Sequence, residues 1–455
     1  MNVWRSSLPR LVFGRQWSNR VPWRLHAIAD QYFLASECER ARPPHWTFRQ
    51  EPARASLLCA GDLALHRWRP DDSIDRVFGG VQDLFRSVDF RVVNLESVLT
   101  ERTDASGTIG RFIRAAPSTV RCLQQLGVDA VCAANNHALD FGSAGLAQSQ
   151  TILGEAGIAS FGIDVHGGSG VSGATVHVAN GVRIGMVAAT DHFGGTREQG
   201  ALAPVWLDRA SLRTAVRLLK ASCDVVVVQL HWGYEYVMYP LRWHRDFARQ
   251  LVDDGADIVC CHHAHVVMGA ERHGKGVIAH GLGNFWFGQL GEAHPAFRFG
   301  VLLRALVDHR GVVDAAVVPV YTDTNLALQV EERCVPGFDR LCAELRSERT
   351  VSAVEASRVS VEIASILQDV TARLAQRDVA GLLERQQYLA VPRHDWLLDH
   401  VSDTGSREWR AVAKWLRYFR SAPRQDVERG ELTAPPEVRG VAKRADSRRL
   451  RGRWP

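Results

Sequence analysis

A short segment rich in cysteine and histidine, DIVCCHHAHVVMG at 257–269, contains side chains that could do chemistry together. It places His263 and His265 two residues apart, directly after an apolar run that is typical of a buried strand. Other apolar runs also end in polar residues, and these further candidates are Asp62, Glu96, Asn136, His137 and His231. Because ligands bind at the carboxyl ends of strands in open α/β sheets, one cleft could contain all of these side chains.

Two kinds of chemistry suit this set of residues. Carboxylate, amide and imidazole ligands suit Zn, Mn or Fe, and a bound pair of such ions would activate water and polarise a phosphoryl or carbonyl oxygen. Without a metal, the same residues together with Asp140 and Glu235 form an acid/base cluster. Such a cluster could remove an α-proton from a peptide residue and return it to the other face, while Asn135 or Asn136 stabilises the enolate oxygen.

Residues beside these candidates are predicted to bind the substrate. Trp232 and Tyr236 could form an aromatic pocket for a peptide side chain, although a core position is the alternative for both. Asn135 and Asn284 are the candidate polar contacts. Cys261 is interpreted as a small buried residue at a strand end, with a thiolate role as the alternative.

Strand-like and helix-like segments alternate along the middle of the chain. The strand candidates are 56–62, 90–96, 129–137, 224–233 and 256–265. Amphipathic segments such as WHRDFARQLVDDG separate them, which predicts an α/β fold with helices packed on the sheet. After residue 270 the pattern becomes mainly β, and FGVLLRALVD and VVDAAVVPVY around a His-Arg-Gly turn predict a hairpin. A second sheet packed on the first is therefore expected.

The composition indicates a globular protein of several structural units. The chain has 455 residues with 46% hydrophobic and 23% charged content, which is enough to bury a large core. Its net charge of +5 comes from 55 basic and 50 acidic residues, so neither a nucleic-acid nor a membrane partner is expected. The nine cysteines form no C-x-x-C pair, and no segment resembles a signal peptide or a membrane span. A cytoplasmic location is therefore expected.

Four segments are predicted from these patterns. Residues 1–55 form an N-terminal extension and 56–322 form the catalytic domain. Residues 323–424 form a mainly helical C-terminal extension, and 425–455 form a basic, flexible tail. The oligomeric state is not indicated by any pattern.

Six blocks of the sequence resemble the CapA-like family, which is named for poly-γ-glutamate capsule synthesis. In order, the blocks are CAGDLALHR, VVNLESVLT, RAAPSTVRCLQQLGVDAVCAANNHALDFG, QLHWGYEY, GADIVCCHHAHV and GLGNFWF. The family is similar to the metallophosphatase, or calcineurin-like, superfamily. The resemblance implies two facing mixed β-sheets flanked by helices, in an α/β/β/α sandwich. It also implies that His137 acts on the leaving group and that metal ions are bound by Asp62, Glu96, Asn136, His231, His263 and His265.

The sequence also departs from these patterns, and much of the CapA-like family shares the first of the departures. Metallophosphatases carry Asp-x-His on the first strand, but Leu63 and Ala64 follow Asp62, so one imidazole of the first metal site is missing. Cys261 replaces the usual glycine before the two adjacent histidines, and Ala264 replaces the usual proline. Since glycine permits close backbone approach and proline stiffens a turn, this loop could be shaped for a different ligand.

These departures favour a cytosolic enzyme that modifies a peptide. The specific hypothesis is epimerisation at a peptide α-carbon without a cofactor, acting on a ribosomal precursor peptide as some CapA-like proteins of ribosomal-peptide pathways, including lasso-peptide pathways, do. The alternative is a hydrolase or transferase that uses one or two divalent ions, Mn, Zn or Fe, on a phosphoester or γ-glutamyl amide. A third hypothesis is a capsule-assembly factor that only binds polyglutamate.

Overall fold

The chain folds into two compact units, Met1–Glu348 and Arg349–Pro455. The structure, a computed structural model, describes residues 43–69, 72–105, 112–165, 173–191, 202–235, 237–288, 295–330, 338–346 and, with gaps, 366–442. In the first unit, the strands are β1 His45–Thr47, β2 Ala55–Leu63, β3 Phe90–Leu95, β4 Val98–Leu99, β5 Arg114–Ala115, β6 Ala130–Cys132, β7 Ala159–Phe161, β8 Ile163–Val165, β9 Thr175–Ala179, β10 Val182–Thr190, β11 Leu202–Pro204, β12 Val225–His231, β13 Ile258–His262, β14 Ala270–His273, β15 Gly276–Ala279, β16 Asn284–Trp286, β17 Phe299–Asp308, β18 Gly311–Thr322 and β19 Leu328–Val330. The helices of the same unit are α1 Ile74–Arg86, α2 Val120–Leu126, α3 Gly142–Glu155, α4 Arg209–Ser222, α5 Arg242–Asp253 and α6 Phe338–Glu344.

Two mixed sheets form the centre of the first unit. Within the described residues the larger sheet has the order β1-β18-β17-β2-β3-β6-β7, with β16 also paired to β2 and β19 to β18. The smaller sheet has the order β14-β15-β13-β12-β10-β9. Parallel pairs occupy the middle of both sheets, namely β2 with β3 and β12 with β13. Polar residues at the ends of these parallel strands therefore lie at the same edge.

The two sheets face each other and helices cover their outer sides. Strand β13 lies against β2, and the thiols of Cys260 and Cys59 meet between them. Helices α1 and α2 pack on the larger sheet through residues such as Phe78 and Leu123. Helices α4 and α5 pack on the smaller sheet through residues that include Leu219 and Phe247. The two facing sheets with helices on their outer sides form the predicted α/β/β/α sandwich, and the fold prediction is confirmed.

Local sequence explains where α1 begins and which face it buries. The Ser73 hydroxyl accepts a hydrogen bond from the Arg76 N–H at 3.2 Å and caps the helix. The apolar side chains recur at the spacing of one helical face, and the buried ones are Ile74, Val77, Phe78, Val81 and Phe85. The described residues include no helix that is both long and apolar enough to cross a membrane.

The predicted hairpin is present, but the expected segment boundaries differ from the structure. Strands β17 and β18 pair in antiparallel register around His309 and Arg310. Strand β19 then adds to β18, so the larger sheet continues beyond residue 322. Strand β1 also pairs with β18, so residues 45–47 belong to this sheet and not to a separate extension. Residues 1–42 lie outside the described residues.

The second unit has its own apolar core. Its helices include α7 Arg407–Ser421 and α8 Arg424–Arg429. Leu416 and Phe419 of α7 are fully buried. They pack with other buried apolar residues that lie between 366 and 442. The predicted flexible tail at 425–455 is wrong for its described part, because Val427, Val438 and other apolar residues up to 442 pack into this core. The sequence pattern of this segment does not indicate these apolar core residues because arginines are numerous among them.

Gly61 in β2 lies where the backbone of another segment approaches closely. A Cβ atom at residue 61 would lie 2.1 Å from the Gly283 carbonyl oxygen, which also accepts the Asp62 N–H at 3.0 Å. We expect Gly61→Ala to lower the free energy of unfolding by about 1–3 kcal/mol, measured by urea denaturation. The control is Gly79→Ala in α1, where no described atom lies within 4 Å of the added Cβ. It should raise that free energy by about 0.5–1 kcal/mol, and equal effects of the two variants would contradict the packing.

Candidate functional site

The predicted polar side chains meet where strands of the two sheets end. Asp62 is near the end of β2, Glu96 directly follows β3, and His231 is the last residue of β12. His263 and His265 follow β13, the parallel neighbour of β12. All five residues are buried, with at most 4% of their surface exposed. Their interactions are therefore made in a region of low dielectric constant, where charge effects are strong.

The turn after β13 holds two histidines in an unusual backbone conformation. The φ angle is +84° at His263 and +56° at His265, in the left-handed region that non-glycine residues seldom adopt. Such strain costs on the order of 1–3 kcal/mol per residue and persists only where neighbouring groups fix it. Here the His263 N–H donates to Asp62 Oδ2 at 3.1 Å. The His265 Nδ1–H donates to Asn284 Oδ1 at 2.9 Å, so the backbone at His263 and the ring of His265 are both held in place.

The two cysteines of β13 are structural residues. Side chains alternate along the strand, so Cys260 faces the larger sheet while Cys261 packs against the side covered by α5. Burial raises the pKa of Cys261 to about 12. A thiol with this pKa is protonated near neutral pH and is a poor metal ligand or nucleophile. The thiolate alternative for Cys261 is therefore not supported.

Glu96 is a fully buried carboxylate without a hydrogen-bond partner among the described residues. Neither carboxylate oxygen is hydrogen-bonded. Three imidazole nitrogens surround Oε1, with His265 Nε2 at 3.6 Å, His137 Nε2 at 3.8 Å and His231 Nε2 at 3.9 Å. Burial and the nearby carboxylates, Asp62 first among them, raise the pKa of Glu96 well above its usual value. A proton or a cation would remove the cost of burying this charge.

Glu96, Asn136, His231 and His263, together termed the His231 cluster, converge on one point. His231 Nε2 lies 2.8 Å from Asn136 Oδ1 and 3.1 Å from His263 Nδ1. Single donor atoms of the carboxylate and the two imidazoles all lie within 4.8 Å of one another. Two ligands bound to one ion at about 2.0–2.2 Å each lie roughly 3–4 Å apart, so this arrangement fits one transition-metal ion.

Asp62, Glu96 and His265, termed the Asp62 cluster, form a second possible cation site that shares Glu96. Its donor atoms also lie within 4.8 Å of one another. The group differs from the first because different ring nitrogens face the two carboxylates. His265 Nδ1 lies 3.4 Å from Asp62 Oδ2, whereas Nε2 lies 3.6 Å from Glu96 Oε1.

His137 forms a dyad with Asp140 at the rim of the site. His137 Nδ1 lies 2.8 Å from Asp140 Oδ2, which also accepts the Ile113 N–H at 2.7 Å. The His137 side chain is 15% exposed, while that of Glu96 is fully buried. The carboxylate orients the imidazole so that Nε2 points towards Glu96. His137 can therefore exchange protons with a bound molecule.

Hydrogen bonds determine which nitrogen of two imidazoles carries the hydrogen in the neutral ring. Asn284 donates its Nδ2–H to the Phe297 carbonyl at 3.0 Å, so its Oδ1 must accept from His265 Nδ1, and His265 Nε2 carries a lone pair. In the neutral His231 ring the hydrogen is on Nε2, and Nδ1 has the lone pair. Asn94 Nδ2 donates to Asp62 Oδ1 at 2.9 Å and lies 3.2 Å from His231 Nδ1. His231 Nδ1 is therefore an acceptor, and its Nε2 carries the hydrogen.

His262 belongs to the site although the sequence pattern does not single it out. It is the last residue of β13 and is 2% exposed. Its Nδ1 donates to Asp62 Oδ1 at 3.1 Å, and its Nε2 lies 2.6 Å from Gln229 Oε1. Burial alone would raise the pKa of Asp62, but the hydrogen bond from His262 and the nearby imidazoles hold it at about 2. The alternation of Cys260 and His262 along β13 is the one sequence signal for this role.

The other predicted residues divide into supporting residues and residues outside the site. Trp232 is wrong as a substrate contact, because it packs against Trp243 and Phe247 in the core beside α5. Asn135 uses both ends of its amide within the protein, donating to the Leu95 carbonyl and accepting the His137 N–H.

Asn284 likewise supports His265 and has no amide group left for a substrate contact of the kind predicted. Glu235 is partly buried, and its charge contributes to the raised pKa of Glu96. Tyr236 lies outside the described residues.

The sequence matches a known family over the part of the chain that contains this site. The model for the family described as bacterial capsule synthesis protein PGA_cap matches residues 56–289, about half of the chain. The chain belongs to this family. Residues 56–289 include every residue of the His231 and Asp62 clusters. The predicted CapA-like resemblance is therefore confirmed.

Three similar proteins each match about half of the chain. The chain is 30% identical over 257 residues to the PGA biosynthesis protein CapA of Bacillus subtilis (strain 168), covering 53% of this chain and 65% of that protein. It is 31% identical over 255 residues to the capsule biosynthesis protein CapA of Bacillus anthracis, covering 53% of this chain and 61% of that protein. A probable polyglutamine synthesis accessory protein of Mycobacterium tuberculosis (strain CDC 1551 / Oshkosh) is 29% identical over 210 residues, covering 44% and 55%. The matches span less than two thirds of these relatives.

The raised pKa of Glu96 predicts a pH-dependent stability of the metal-free protein. Above its usual pKa of 4.5, Glu96 ionises in the unfolded chain but not in the folded protein, so rising pH favours unfolding. Metal-free Glu96→Gln should unfold at higher urea concentration than the parent at pH 7, with the difference disappearing as the pH falls through about 4.5. The exposed Glu155→Gln is the control and should change little. A Glu96→Gln variant that is less stable than the parent at pH 7 would contradict this assignment.

Proposed function

We propose that the chain is a metal-dependent hydrolase or transferase whose ion is held by the His231 cluster. One observation carries the proposal: the fully buried Glu96 carboxylate has no hydrogen-bond partner among the described residues and faces a convergent set of donors. Native proteins rarely leave buried carboxylate oxygens unsatisfied, so such a group calls for a ligand. Nitrogen and oxygen donors at these separations suit Zn, Mn or Fe.

The residues around the ion would have different roles in a hydrolytic reaction. When bound, the ion would supply Lewis-acid polarisation of the scissile carbonyl or phosphoryl group. His137, oriented by Asp140 at 2.8 Å and partly exposed, is placed to give a proton from Nε2 to the leaving group when both of its ring nitrogens are protonated. His265 presents an unprotonated Nε2 beside Glu96 and can accept a proton from the attacking group. Trp232 and Cys261 take no part.

We further propose a γ-glutamyl amide as the bond that reacts, in a peptide-type substrate. The support is the naming of the relatives for PGA biosynthesis, capsule biosynthesis and polyglutamine synthesis. A protein that only binds such a polymer would not need a proton-transfer dyad beside a buried carboxylate. The arrangement of His137, Asp140 and Glu96 therefore favours an enzyme over a binding factor. A cytoplasmic site of action stays a prediction.

Peptide epimerisation is a second candidate function, and one specific observation favours it. The Asn94 amide places the hydrogen of a neutral His231 ring on Nε2, whereas the Asn284 amide leaves the lone pair of a neutral His265 ring on Nε2. A proton donor and a proton acceptor therefore flank Glu96. Removing an α-proton from one face of a carbon and returning one to the other face requires such a pair. No cofactor is needed for this chemistry.

Elemental analysis separates the two functions. After dialysis against Mn²⁺ or Zn²⁺, we expect the parent protein to retain tightly bound metal. His231→Ala and His263→Ala should lose it, with affinity falling by more than the roughly 10- to 100-fold typical of outer-shell changes. His45→Ala, whose ring is 57% exposed and lies outside the site, should retain it. Hydrolysis of γ-glutamyl oligomers should stop when the metal is chelated.

The opposite result would favour the second candidate. A parent protein that binds no metal yet exchanges peptide α-hydrogens in deuterated water would overturn the metal-dependent proposal. Under that outcome, His231→Ala and His265→Ala should each abolish exchange, because each removes one member of the donor and acceptor pair.

A further inference from the structure

We infer that the site holds one divalent cation, in the His231 cluster, and that Asp62 and His262 form a hydrogen-bonded anchor in place of a second ion. This inference rests on the proposed metal-dependent function. It gives Asp62 a positioning role instead of the ligand role implied by the family resemblance. It also gives a role to His262.

Both oxygens of Asp62 are already engaged by the protein. Oδ1 accepts the His262 Nδ1–H at 3.1 Å, and Oδ2 accepts the His263 backbone N–H at 3.1 Å. The side chain is 1% exposed, so water does not compete for these bonds. Asp62 therefore connects the end of β2 to the turn after β13, across the two facing sheets.

His262 cannot itself serve as a ligand in this geometry. One ring nitrogen is bonded to Asp62 and the other lies 2.6 Å from Gln229 Oε1. Gln229 is in β12, two residues before His231, and is fully buried. The imidazole therefore links β2, β12 and β13 behind the site.

His265 could join Asp62 and Glu96 around one ion through Nδ1 only by giving up its hydrogen bond to Asn284. The nitrogen that faces Asp62 is Nδ1, and it gives its hydrogen to Asn284. The nitrogen that has a lone pair, Nε2, faces Glu96 instead. The two residues after Asp62, Leu63 and Ala64, are apolar and fully buried, so they supply no further donor.

The His231 cluster has four donor residues where the Asp62 cluster has three, although the hydrogen on His231 Nε2 must move to Nδ1 before that nitrogen can bind an ion. It adds the Asn136 amide oxygen to one carboxylate and two imidazoles, and this oxygen lies 2.8 Å from His231 Nε2. The anchor contributes to this cluster indirectly. By bonding the His263 N–H, Asp62 stabilises the left-handed backbone that directs the His263 ring towards His231. Supporting groups of this kind typically contribute about 10- to 100-fold to metal affinity.

The count of bound ions tests the inference in the unaltered protein. We expect a titration with Mn²⁺ or Co²⁺, followed by dialysis and elemental analysis, to saturate at one ion per chain. Crystals soaked in Mn²⁺ should give one anomalous peak, within the His231 cluster. Two ions per chain, or a second peak beside Asp62, would overturn the inference while leaving the proposed function intact. No bound ion would overturn both.

Matched variants test the positioning role by measuring affinity, not activity. His262→Leu and Asp62→Asn should each keep one ion per chain but bind it about 10- to 100-fold more weakly. His262→Gln, whose amide can still donate to Asp62, should recover part of that loss. Glu96→Gln should lose the ion. If Asp62→Asn folds with an unchanged circular dichroism spectrum and loses the ion as Glu96→Gln does, Asp62 is a ligand and the inference is wrong.

Discussion

The desolvation of one carboxylate, Glu96, is the constraint on which the rest of the site depends. A charge that is fully buried without a hydrogen bond is strongly unfavourable, so Glu96 must hold a proton or contact a cation. Three imidazole nitrogens lie 3.6–3.9 Å from its Oε1, near enough to share either one. Glu96 is fully buried at the strand ends, while α1 and α2 cover the outer side of one sheet and α4 and α5 that of the other. The sheets and helices therefore determine the protonation and ligand requirements of this one group.

Asp62 and Glu96 lie close together and have opposite environments. Asp62 receives hydrogen bonds from Asn94, His262 and the His263 N–H. Burial alone would raise its pKa, but the hydrogen bond from His262 and the nearby imidazoles hold it at about 2. Glu96 receives none from the described residues, and its pKa is raised. Two carboxylates whose pKa values are pushed apart can have different roles, one as a permanent charge and one as a proton or metal site. This arrangement also requires the left-handed backbone at His263, which is strained and costs free energy.

The sequence predicts the buried donors better than it predicts their supports. Asp62, Glu96 and His231 are predictable because polar residues at the carboxyl ends of apolar strands commonly line a ligand site. Trp232 does not follow this rule, because it comes directly after His231 and points to the opposite side, towards α5. The role of His262 depends on Gln229 and Asp62, which are distant in sequence and come together only in the fold. The predicted unit boundary lies too early because the short strand β19 has too few residues to show a period.

The two candidate chemistries differ mainly in the position of one hydrogen atom on His231. With the hydrogen on Nε2, as the Asn94 amide requires in the structure, His231 is a proton donor. A cation at Nε2 needs the hydrogen on Nδ1, and the Asn94 amide must then turn to present its oxygen, which has no hydrogen-bond partner among the described residues. Turning it would place that oxygen against Asp62 Oδ1, now 2.9 Å from the amide nitrogen. The free energy of this single rotation therefore opposes metal binding, and the ion must stabilise Glu96 by more than the rotation costs.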